Sequence, residues 1–353
     1  LDFVTDSDPI VVFAFWLGVV VVLMTIIMLA VILIMRQVVL IKEKNHARAV
    51  KYWGKILTHD IYFIPMARYT LPVRDLSGFL EVWNAIHEPL HGQTKSELIE
   101  LANQIELEKH LHAMLRRGGF HEHLIAIIAL GHIKNKTSFE RVENYIDDNS
   151  PLVSLCAARA LMQIDPKKAV SLLVPQIEKR IDWSAARVAT ILQEAGAENV
   201  SKELSQATLR AHIDVAPRLI RFLGGVSPAE ATPIIRKILA SSQDEHMIST
   251  CLQVMTDAAD LLYVRELLTH PRWHVRMQAT VTLGRLGVLG DEQKLMNMLT
   301  DEQWWVRYRA AQGILSLPFM TRTLFESIRH QQNDQYARDA LDHVLAEKTM
   351  RVS

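Results

Sequence analysis

The 353-residue sequence predicts an all-α protein: an α-solenoid of about eight or nine helical hairpins behind one N-terminal transmembrane helix. Three observations predict it. Residues 10–35 form one uncharged run; "RWHVRMQATVTLG" at 272–284 recurs as "QWWVRYRAAQGIL" at 303–315, 31 residues on; and beyond residue 75 the chain is a succession of helix-length apolar-periodic segments with no alternating strands.

Residues 1–9 read as a short tail carrying Asp2, Asp6 and Asp8 but no Lys or Arg. The run "IVVFAFWLGVVVVLMTIIMLAVILIM" at 10–35 follows, interrupted only by Gly18 and Thr25. At ~1.5 Å per residue it outspans a hydrocarbon core of roughly 30 Å, so it is expected to contact lipid and cross the bilayer. A cleavable leader would show a basic start, a shorter apolar core and a small-residue cleavage site, which this stretch lacks. After it, Arg36, Lys42, Lys44, Arg48, Lys51 and Lys55 stand against Glu43 alone, and the basic flank of a span stays in the cytoplasm. The expectation is a single-pass protein of the inner membrane, N-terminus outside, with the repeat domain in the cytoplasm.

Residues 36–74 read as a basic juxtamembrane helix and linker, with Tyr52 and Trp53 available to pack or to sit at the interface. Residues 75–118 read as N-terminal capping helices. Their "DLSGFLEVWNAIHEPLHG" puts Phe79, Leu80, Trp83, Ile86 and Leu90 at helical spacing, either to close the first apolar layer or to dock a membrane partner.

Residues 119–353 form the array. Leu130, Leu161, Leu192 and Leu223 are 31 residues apart, as are Leu283, Ile314 and Leu345, with Met255 between the two series in a repeat of altered turn. Four residues before each anchor stand Ala126, Ala157, Val188, Leu219, Cys251, Ala279, Ala310 and Leu341, on the same helix face. Eight second helices are thus in phase. First helices lie between them, some opening on start signals such as Ser227 with Pro228, or Asp291. One hairpin cannot bury its apolar stripe, so neighbours must stack into a continuous core.

These residues resemble a known family. "HPRWHVRMQATVTLGRLG" and "DEQWWVRYRAAQGILSL" look like HEAT-type repeats of the short variety also found in phycobilisome lyases, with "SPLVSLCAARALMQI" and "HEHLIAIIALGHI" a looser match. The resemblance implies that Arg276 and Arg307, with Arg338 in the same phase, are structural, hydrogen bonding to neighbouring turns and to acidic caps such as Asp301. A residue repeated at a fixed interval serves the repeat before any ligand.

Composition narrows the function. Lys and Arg total 39, as do Asp and Glu, so no global basic field attracts nucleic acid and no nucleic-acid partner is expected. Cys156 and Cys251 sit in helical apolar patterns and read as buried thiols. Histidines cluster at His87 and His91, His110 and His112, and His121, His123 and His132. Pairs two apart point to different helix faces and make poor metal ligands. HEAT-like deoxyhypusine hydroxylases hold iron through repeated His-Glu pairs, which His87-Glu88 and His121-Glu122 resemble, but His121 lies out of phase with them. No metal and no cofactor is expected, and neither a phosphate loop nor a nucleophile motif occurs.

The tryptophans remain. Trp273 and Trp304 are 31 apart, Trp305 adjoins the second, and Trp183 shares the phase of Trp305. Adjacent residues on a helix point about 100° apart, so Trp304 and Trp305 are not both expected to be buried. Trp304, Trp305, Trp183 and Trp83 are the candidate partner-binding residues; Trp273 is expected to fill a gap between helix starts. The reading is a noncatalytic membrane-anchored scaffold that binds protein partners, in a bacterial envelope complex with a glycosyltransferase or a polysaccharide assembly. The alternative is an enzyme or metal-dependent protein modifier built on HEAT-like repeats.

Overall fold

The computed structural model describes residues 9–59, 71–90 and 92–352. The tail at 1–8, residues 60–70 of the expected linker, His91 and Ser353 lie outside the described residues. Among the described residues all regular structure is helical. Packing divides the chain into two units, Leu1–Asn135 and Lys136–Ser353. The second begins later than the expected start of the array, because the helix at Phe120–Ile133 packs with the capping helices before it.

The first unit opens on α1 (Pro9–His59), an unbroken helix of 51 residues. Val19 aside, its large apolar side chains from Phe13 to Ile41 are exposed, and this stretch is long and apolar enough to cross a membrane. Such a surface is stable only against lipid or another apolar partner. Further on, Ala49, Trp53 and Leu57 are buried against α2 (Leu76–His87). A Cβ on Gly78 would lie 2.8 Å from that of Ala49, so glycine allows the two helices to approach, and Trp53 meets the Phe79 ring edge-on at 5.2 Å. Helices α3 (Gln93–Gln104), α4 (Leu107–Arg117) and α5 (Phe120–Ile133) complete the unit, α5 packing on both α2 and α4. Asn84 Nδ2 donates to the Ile125 carbonyl at 3.1 Å across that junction.

The second unit runs through α6 (Phe139–Glu143), α7 (Pro151–Ile164), α8 (Pro166–Lys179), α9 (Ala185–Ala195), α10 (Ala197–Arg210), α11 (Ala216–Val226) and α12 (Pro228–Ser241). It continues through α13 (Glu245–Val254), α14 (Leu261–Leu267), α15 (Trp273–Leu286), α16 (Asp291–Met298), α17 (Trp304–Ser316), α18 (Arg322–Gln331) and α19 (Gln335–Val352). The second helices, α7 to α19 by odd numbers, each pack on the next, which is the stacked-hairpin core of an α-solenoid.

The 31-residue phase marks the core. Every residue four before an anchor, from Ala126 to Leu341, is fully buried, and the anchors from Leu130 to Ile314 are at most 1 % exposed. Leu345, on α19, is only half-buried, since no further layer among the described residues covers it. In the altered repeat around Met255, α14 has 7 residues where α12 has 14, and a short 3₁₀ turn at Ala258–Asp260 precedes it. Helices α15 and α17 approach most closely at Gly284 and Gly313, where a Cβ on Gly284 would meet the Gly313 backbone. Pro228 opens α12 as expected, although the Ser227 side chain at its cap accepts no bond; the Asp291 carboxylate takes the Val288 N–H at 3.0 Å.

Candidate functional site

The repeat arginines join layers. Arg276, 9 % exposed, donates from Nε and Nη2 to the Asp301 carboxylate at 2.7 and 3.0 Å, and from Nη1 to the carbonyls of His270 and Pro271 at 2.9 and 3.1 Å. One planar fork thus ties its own loop to the next. Hydrogen bonding to Asp301 raises the Arg276 pKa above its ordinary value. Arg307 repeats the carbonyl half of this pattern, with Nη1 on Asp301 O at 2.7 Å and Glu302 O at 3.1 Å, and its guanidinium lies 5.6 Å from the Tyr336 ring centre. Arg338 is exposed.

Sequence reasoning missed other arginines in the same service. Arg218 donates to the carbonyls of Ile177, Arg180 and Trp183, and Arg285 to that of Met255 at 2.6 Å; burial lowers the pKa of both. Arg265 pairs with Asp291 through two bonds of 2.8 and 2.9 Å. Their positions share no register with Arg276, so periodicity could not find them. For Arg265 the acidic residue Asp291 was an available signal; Arg218 and Arg285 bond carbonyls, which leave none in the sequence.

Two of the four candidate tryptophans are not available to a partner. Trp83 is fully buried, its ring stacked on His87 at 5.1 Å, with His87 stacked in turn on His132 at 4.1 Å. Trp183 is 3 % exposed and donates through Nε1 to Ser154 Oγ at 2.9 Å. It shares the phase of Trp305, but α9 begins only at Ala185, so Trp183 lies in the preceding turn and folds inward towards Ser154 of α7. Trp273 is 39 % exposed and so only partly fills the gap assigned to it.

Trp304 and Trp305 are each 50 % exposed in the first turn of α17, above the buried Val306, Ala310 and Ile314. Trp304 stacks on Tyr308, centroids 5.2 Å apart and planes 8° apart, and meets Trp305 edge-on at 4.7 Å. The Tyr308 hydroxyl donates to the Glu347 carboxylate and accepts from Gln312 Nε2 at 2.8 Å, which holds the stack upright. Beside it, Trp304, Arg307, Tyr308, Tyr336, Asp339, Ala340 and His343 line a cleft of about 260 Å³ between α17 and α19. A second, more polar cleft of about 540 Å³ lies between α13 and α15, where His274 Nε2 and Glu245 Oε2 are 3.0 Å apart.

Of the two thiols expected to be buried, Cys251 is buried and Cys156 half-buried. Burial pushes the Cys251 pKa up to about 12 and raises that of Cys156. Burial, with Lys95 and Lys134 in support, lowers the His87 pKa to about 4. Among the described residues no three His, Cys, Asp or Glu side chains come together as a metal cage.

Residues 111–193, from α4 into α9, match the family model for HEAT repeats, so the resemblance read from the sequence holds and the chain carries these repeats. No curated protein matches the chain. Among solved structures it is similar to an engineered protein at 14 % identity, covering 84 % of this chain and 98 % of that one with a TM-score of 0.33. It is also similar to the complex of the two phycocyanin lyase chains from Nostoc at 17 % identity, covering 80 % of this chain and 98 % of that one with a TM-score of 0.25.

Proposed function

We propose that this HEAT-repeat chain is a noncatalytic scaffold, held in the inner membrane by α1 and offering its repeat array to protein partners in the cytoplasm. What carries the reading is the pair Trp304 and Trp305, half-exposed on a helix whose inward face is closed. Large rigid rings left in water at a cost of apolar hydration are the side chains that dominate protein interfaces. The anchor supports the rest: an exposed apolar stretch followed by a basic flank favours spanning with the array inside. Tethering confines the scaffold to two dimensions beside a membrane partner and raises the effective concentration of each for the other. An envelope glycosyltransferase or polysaccharide assembly is the partner class proposed.

The test is site-specific photo-crosslinking in native membranes from position 305, with position 181 as a remote exposed control. A discrete partner captured from 305, absent from 181 and lost in Trp304→Ala, is the expected result; equal capture from both positions would sink the reading. Metal analysis of the purified protein with His121→Ala and His87→Ala addresses the enzyme alternative, which would require stoichiometric metal lost in those variants.

A further inference from the structure

The exposed aromatic side chains of the second unit, among its described residues, are Trp273, Trp304, Trp305 and Tyr336. All four stand in the first two positions of α15, α17 and α19, three helices packed in succession. They therefore form a row across the helices, one step per repeat. Packed helices lie roughly 8–10 Å apart, which sets the step of the row. A polyproline helix turns once in three residues at ~3.1 Å each, so the same face returns about every 9 Å. An extended strand presents a face every ~6.7 Å and falls out of step by the second ring.

We propose that this row docks a proline-rich segment of a protein partner, held as a polyproline helix and carrying a basic residue at one flank. The inference rests on the scaffold reading and specifies its partner. Chemistry agrees with the spacing. Proline offers ring faces for stacking and a carbonyl without an N–H, and the row supplies exposed flat rings whose indole N–H and phenol O–H donors bond to no other described residue. The cleft beside Trp304 is about 260 Å³, below the ~300–1,000 Å³ of small-molecule pockets and suited to part of a chain.

Charge selects the flank. Arg307, the cation of the cleft, is turned onto the carbonyls of Asp301 and Glu302 and the Tyr336 ring. Asp339 lines the same cleft, is exposed, and pairs with no cation among the described residues. Arg307 is engaged by those carbonyls and His343 by Glu347, which leaves Asp339 as the charged group of the cleft with no bonded partner among the described residues, so a lysine or arginine complements it.

The probe is an oligoproline peptide of about nine residues ending in arginine, long enough to span three helices. It is titrated into the full-length protein in detergent micelles, followed by tryptophan fluorescence and calorimetry, beside a Gly-Ser peptide of equal length and charge. Saturable binding of the oligoproline alone is expected, weakened about tenfold by Trp304→Ala or Trp305→Ala. Asp339→Asn should weaken it about threefold, and only for the arginine-bearing peptide. Unchanged helical circular dichroism shows that these surface variants fold. No saturable binding, equal binding of the Gly-Ser peptide, or indifference to both tryptophan variants would overturn the inference. A crosslinked partner at position 305 that oligoproline does not displace also overturns it and leaves the scaffold reading standing, whereas equal capture from positions 305 and 181 strikes the scaffold reading.

Discussion

At the scale of the residue, Arg276 and His87 show opposite ways of placing a polar group inside helices. Arg276 is matched by a carboxylate and two carbonyls, and the Asp301 side chain opposite it is more buried still. Removing one partner of such a pair strands the other charge, so Arg276→Ala should cost about 3 kcal/mol in urea denaturation. Arg307→Ala, which frees only carbonyl acceptors near the surface, should cost about 1 kcal/mol by the same measurement. His87 is buried, its ring nitrogens have no partner among the described residues, and it stays neutral. Its folded pKa of about 4 lies below the 6.5 of the unfolded chain, so between these values the unfolded state binds more protons. Its contribution is therefore present above pH 6.5 and lost as pH falls towards 4. Replacement His87→Leu should flatten this acid limb; an unaltered pH profile of unfolding would refute the assignment.

Elements are where the 31-residue phase becomes energy. Leu283 and Leu345 hold equivalent register positions, yet one is fully buried and the other half-buried at the end of the array. Leu283→Ala should cost about 3–5 kcal/mol of stability and Leu345→Ala under about 1, measured as shifts of the denaturation midpoint. Gly284→Ala places a methyl group against the Gly313 backbone, which cannot rotate away. A loss of about 1–3 kcal/mol is expected, and a neutral result would mean α15 and α17 are farther apart than described. Register was legible because burial repeats with helix geometry. Trp183 was not legible as a core residue, since one turn of difference in where α9 begins decides whether that ring faces out or in.

For the whole molecule, α1 and the array impose different solvents on one chain. The exposed apolar length of α1 calls for lipid or another apolar partner, while the array buries its own apolar face. Orientation is testable with thiol labelling, because Cys251 and Cys156 are held protonated by burial and react slowly. In cysteine variants, Asp2→Cys should label from outside with an impermeant maleimide, and Arg338→Cys only after the membrane is opened. The reverse pattern would invert the proposed topology.

Periodicity and uninterrupted runs were enough to read the helices, the phase of their buried faces, the long apolar stretch and its basic flank. These are local in the chain and survive without coordinates because burial follows helix pitch and lipid sets the length of a span. Long-range packing set which aromatic rings remain in water, which arginines bridge which layers, and that α5 packs on both α2 and α4. Those outcomes depend on where each helix starts and on which neighbour covers it, and residues distant in sequence settle both.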